Sequence, residues 1–132
     1  MTSSDRRDYA ITLFLKYLAE RGFFALKIVR TVKELYRFLD PFDVLVYLQE
    51  RHKFIAFRVK ASRIKLPKIQ SKDLAYIFLF KYPPNIIPAF VIMTYSDKIE
   101  KIYFTHSELV KKDIYLHDIN ELIKELEKLE II

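Results

Sequence analysis

Two stretches rich in branched and aromatic residues, 43–49 and 53–61, are separated only by Glu50-Arg51-His52, and this spacing limits the possible folds more than any other feature of the chain. Each has the length of an ordinary strand, and so short a connection joins antiparallel neighbours, because a parallel pair needs a crossover of about a dozen residues. The pair is therefore expected to form a hairpin. An isolated two-stranded hairpin is at best marginally stable, so the rest of the chain has to cover its apolar residues.

The segments around it supply the cover. Ile11, Phe14, Leu15 and Leu18 recur at helical spacing, Ser4 can cap the start, and Gly22 falls where a helix stops, which predicts a helix over 5–21. Residues 23–29 read as a first strand, and Thr31 with Glu34 has the spacing of a capping box for a short helix over 31–39, ended by Asp40-Pro41. After the hairpin, residues 62–70 alternate basic and apolar side chains around Pro67 and suit a surface loop. Ser71 is placed to cap a helix over 72–81, closed by Pro83-Pro84. Strands over 88–95 and 98–105 follow, joined by a tight turn at Ser96-Asp97. Asp118 and Glu121 form a capping pair for a final helix over 118–132, whose apolar stripe is Ile119, Leu122, Ile123, Leu126 and Leu129.

A chain of 132 residues fits one domain, 1–132, with a sizeable core, and 11 Phe and 9 Tyr argue against disorder. The lack of cysteine removes disulfides and thiolate metal sites and makes a cytoplasmic setting the expectation. The longest apolar run, 86–93, contains Pro88 and is too short to span a bilayer, so no membrane partner is expected. One glycine with abundant Lys, Glu and Ile resembles the composition of hyperthermophile proteins. The net charge of +6 points to an anionic partner. Between 51 and 72 the chain carries Arg51, Lys53, Arg58, Lys60, Arg63, Lys65, Lys68 and Lys72 with no acid, whereas the tail from 118 is acidic on balance. A patch of this kind fits phosphate binding better than a uniformly solvated face does.

The order of elements, Leu18-Ala19-Glu20-Arg21-Gly22-Phe23 at the end of the first helix, Phe42-Asp43-Val44-Leu45-Val46 and Ile87-Pro88-Ala89-Phe90-Val91-Ile92 together resemble the archaeal Holliday-junction resolvases of the PD-(D/E)XK nuclease type. The resemblance implies an α/β restriction-endonuclease-like fold, a central mixed β-sheet flanked by α-helices. In that family the Asp, a Glu-x-Lys on the next strand and a Glu in the first helix form the active site. Asp43 and Lys60 match it residue by residue, but Arg58 stands at the second carboxylate and Ile11 lies near the helix Glu. Two unit charges about 4 Å apart interact by roughly 4 kcal/mol at an effective dielectric of about 20, and a divalent ion beside an arginine would feel about twice that as repulsion. The resemblance thus implies a degenerate member with Asp43 and Lys60 as the remnant of a catalytic pair, no metal and no cofactor.

Each residue also has a structural reading. Asp43 can pair with Arg58, and Lys60 can contact phosphate or simply end a strand. His52, His106 and His117 have no metal-ligand spacing, and His106-Ser107-Glu108 cannot orient a triad from adjacent positions. The last helix can pack on its own sheet or form the meeting surface of a homodimer, since resolvases match a two-fold junction with a two-fold dimer. The expected function is DNA binding without cleavage, on branched DNA in recombination or repair, as a homodimer or as a mixed dimer with an active resolvase. The alternatives are an Mg2+-dependent endonuclease rebuilt on Asp43, Lys60 and Asp8 or Glu50, and an interaction module whose basic face takes an acidic protein.

Overall fold

The computed structural model describes residues 2–132. Helix α1 (Ser3–Glu20) begins at a capping box formed by Thr2 and Asp5, two residues ahead of the expected Ser4. It ends where the sequence places its stop. Gly22 takes φ of 79°, and the N–H groups of Gly22 and Phe23 return to the carbonyls of Ala19 and Leu18.

Strand β1 (Phe24–Lys27) leads into helix α2 (Arg30–Leu35), followed by a 3-10 turn over Arg37–Leu39. The expected Thr31 capping box is absent. Val29 holds the N-cap position by backbone alone, Thr31 lies inside the first turn, and Glu34 pairs with Arg30 instead. Strands β2 (Val44–Leu48) and β3 (Lys53–Ser62) form the antiparallel hairpin with Val44 opposite Phe57 and Leu48 opposite Lys53. Its connection is a 3-10 turn closed by His52 in the left-handed region at φ 52°.

Helix α3 (Ser71–Phe78) carries the chain across the sheet, so that β4 (Ile86–Tyr95) lies parallel to β3. Its N-cap is Gln70, one residue ahead of the expected Ser71, and it stops three residues before the predicted end. Strand β5 (Ile99–Thr105) returns antiparallel to β4, helix α4 (Ser107–Lys111) follows directly, and helix α5 (Ile119–Lys128) closes the chain behind its Asp118 cap. The result is an α/β architecture with a five-stranded mixed sheet in the order β1-β2-β3-β4-β5, flanked by helices. Among the described residues, no helix is long and apolar enough to cross a membrane.

Both faces of the sheet are covered, as the apolar strands require. On one face Phe14 and Leu18 of α1 and Leu122 and Leu126 of α5 pack against Val46, Ile55, Phe57, Val91 and Phe104. The rings of Phe14 and Phe57 meet edge to face at 5.4 Å between centroids, a favoured aromatic geometry. On the other face Leu39, Phe42, Ala56, Ile77 and Phe90 make a smaller core. The two readings of the last helix are thereby separated: Ile119, Leu122 and Leu126 are fully buried within the single chain, and only Ile123 and Leu129 keep partial exposure. Its stripe is core.

Helix α4 had no counterpart in the sequence reading. Its start depends on His106, whose Nδ1 accepts the N–H of Glu108 at 3.2 Å. Burial lowers the pKa of this ring from 6.5, Glu108 acts the other way, and Lys111 adds to the lowering. A folded-state pKa below the unfolded one means that the neutral ring stabilises the fold fully above about pH 6.5, and that this contribution is lost as pH falls through the folded value. Thermal melts of the wild type should therefore weaken as pH falls below about 6.5, and His106→Asn, which keeps a capping oxygen, should flatten that slope.

Candidate nucleic-acid interface

Strand β2 begins at Val44 opposite Phe57, so beyond that point β3 has no strand neighbour on its β2 side. Asp43 occupies the gap. Its buried carboxylate Oδ2 accepts the N–H of Val59 at 2.8 Å and pairs with Arg7 Nη2 at 2.6 Å. A second N–H of the same guanidinium, on Nη1, donates to the Val59 carbonyl at 3.1 Å. Arg7 thus bridges a carboxylate oxygen and a backbone carbonyl, the two oxygen types that a hard divalent cation would take. The guanidinium occupies the Oδ2 side of Asp43.

This arrangement corrects the expected Asp43–Arg58 pair. Arg58 is directed to the α3 face, where its Nη1 donates to the Pro41 carbonyl at 3.0 Å and its side chain lines a cleft of about 400 Å3 with Asp40, Lys72, Asp73 and Tyr76. Lys60 lies on the same face, two residues along the strand, as strand periodicity dictates. Its Nζ binds Asp73 Oδ2 at 2.6 Å and the Lys68 carbonyl at 3.0 Å. Burial pushes the Asp73 carboxyl up, but the hydrogen bonds from Lys60 and the Gln70 N–H, with the charges of Lys60 and Arg58, outweigh it and hold the group below the usual carboxylate range. Asp73 is the anchor that the sequence reading did not single out. It occupies N3 of α3, three residues after Gln70, and its Oδ2 accepts the Gln70 N–H at 2.7 Å.

The remaining acids considered for a metal site are either paired or distant. Asp8 binds Lys27 at 2.9 Å, and Glu50 lies on the turn after the far end of β2, roughly 20 Å of strand away from Asp43 at about 3.3 Å per residue. Among the described residues no group of three or more His, Asp or Glu side chains is placed to hold a metal ion.

The basic stretch from 51 to 72 is divided by the strand that carries it. Arg51 pairs with Glu127 and Lys53 donates to the Ile131 carbonyl, so both are tied to the region of α5 at the start of β3. Arg58 and Lys60 are engaged on the α3 face. Arg63 emerges at the opposite end of β3, with Lys65 and Lys68 on the loop beyond it and Lys72 on α3. Arg6 and Arg7 join Arg63 there, in a cleft of about 390 Å3 between α1 and the ends of β3 and β4. These two arginines were missed in the sequence. Arg7 lies one turn ahead of Ala10 and Ile11 on the stripe that continues through Phe14 and Leu18, and a cation at that point on a core-facing stripe signals a carboxylate below it. No protein-family model matches the chain, and no curated protein matches it either.

Proposed function

We propose that this protein binds DNA without cutting it, as a restriction-endonuclease-like domain related to junction resolvases in which an arginine has replaced the metal. The observation that carries this reading is the seat of Arg7 against both Asp43 and the Val59 carbonyl. Arg58 at the second carboxylate position points the same way, because an arginine there supplies no oxygen to share a divalent ion with Asp43. The cations left for phosphate are those at the exit of β3: Arg6, Arg63, Lys65, Lys68 and Lys72, with the outer edge of Arg7. A two-fold assembly on branched DNA, homodimeric or mixed with an active relative, belongs to the same proposal, but its contact surface lies outside the buried stripe of α5.

Anisotropy titrations with four-way-junction and linear DNA test the reading. If about four to six phosphates are neutralised, log K should fall with log salt at a slope of about −3.6 to −5.4. Joint replacement of Arg63, Lys65 and Lys68 by glutamine should weaken binding about tenfold for every DNA sequence, because phosphate contacts position a protein without reading bases. Unchanged affinity in the triple variant would move the assignment to the acidic-protein partner.

A further inference from the structure

The cleft beside Asp43 is built from three guanidinium groups on two elements. Arg6 and Arg7 come from the start of α1, Arg63 follows the end of β3, and Ala10, Val59 and Tyr95 form the floor. Arg7 is fixed from behind, Arg63 lies beside an aromatic ring, and Arg6 is tied through its backbone. The Tyr95 hydroxyl donates to the Arg6 carbonyl at 3.2 Å, the guanidinium carbon of Arg63 lies 5.5 Å from the centroid of the Tyr95 ring, and two N–H groups of Arg7 are fixed by Asp43 and Val59. A guanidinium has five N–H donors, so Arg7 keeps three for a ligand. Among the described residues neither Arg6 nor Arg63 forms a salt bridge, and the only acid on Arg7 is Asp43. Three positive groups and one carboxylate leave the cleft two charges in excess.

We infer that this cleft binds the terminal phosphate of a nucleic-acid strand, a deepening that takes its ligand source from the DNA-binding reading. A phosphate monoester carries about −1.5 to −2 charge at pH 7 and offers three outer oxygens to donors, which matches both the excess charge and the three guanidinium groups. An internal diester carries a single charge and continues as chain on both sides. A single diester charge offsets half of the cleft's excess, whereas the terminal group of a strand end offsets nearly all of it. The planar fork of arginine suits bidentate grip on such a group, and no lysine lines the cleft.

The test compares one single-stranded oligonucleotide bearing a 5′-phosphate, a 3′-phosphate or hydroxyls at both ends. Binding is read by anisotropy with wild type, Arg6→Gln and Arg63→Gln, each checked for its fold by circular dichroism. One phosphorylated form should bind about tenfold more tightly than the hydroxyl form, as expected for added charge-assisted hydrogen bonds. Both variants should abolish that difference, and each should also bind the hydroxyl form somewhat more weakly, since both arginines also meet backbone phosphates. Equal affinity for the three strands by wild type overturns the inference and leaves DNA binding standing. If no strand binds, the DNA-binding reading fails by itself, and phenyl phosphate titrated into protein with nitrogen-labelled arginine then decides the cleft. Saturating shifts of the Arg6, Arg7 and Arg63 Nε–H signals, absent in Arg63→Gln, would keep a phosphomonoester site but overturn its nucleic-acid source, and no shift beyond a chloride control overturns the site.

Discussion

Leu126→Asp is expected to unfold the chain. Leu126 has no exposed surface and lies in the main core with Leu122 and Ile119 of the same helix. Truncating such a side chain to alanine costs about 2–5 kcal/mol. Aspartate adds the cost of burying a carboxylate with no partner, and the total approaches the whole stability of a small domain, about 5–15 kcal/mol. Circular dichroism at room temperature should show loss of structure in the purified variant. A folded variant that only changed its oligomeric state in light scattering would instead return the α5 stripe to a dimer interface.

Arg7→Met is expected to cost about 2–4 kcal/mol, somewhat less than the loss of one partner from a fully buried ion pair. The discount is due to exposure: the Arg7 side chain is 42% accessible while that of Asp43 is 6%, so water can reach one side of the pair. Most of the cost is the carboxylate left behind. Asp43→Ala in the Arg7→Met background should therefore cost much less than the sum of the two single changes, measured as a double-mutant cycle in urea. Additive losses would mean that Arg7 and Asp43 are energetically separate and that the guanidinium is not seated as a replacement cation.

Much of the architecture was legible because apolar spacing and length decide it. The hairpin of β2 and β3, the stop at Gly22, the strand pair β4 and β5 and the Asp118 cap all follow from local chemistry that tertiary packing did not overrule. Failures occurred where a side chain had a competing partner. Thr31 and Glu34 have the spacing of a capping box, but the N-cap falls two residues earlier, at Val29, and Glu34 meets Arg30. Helix α4 has five residues, too few for periodicity to announce it. The site was harder to read for a topological reason. A run of charges along a strand appears continuous in sequence, yet alternation sends Arg58 and Lys60 to the α3 face, and the length of β3 holds its two ends, Lys53 and Ser62, roughly 30 Å apart at about 3.3 Å per residue. The partner of Asp43 came from a helix 36 positions away, and no pattern within the hairpin names it.

The most direct test of a metal-free DNA-binding domain is incubation of the purified chain with a labelled four-way junction in Mg2+, Mn2+ or EDTA, with binding and cleavage followed in the same samples. The account predicts a retained complex in all three and uncut strands throughout. Metal-dependent cutting that disappears in Asp43→Ala would contradict it, because Asp43 would then hold a metal that Arg7 has to vacate.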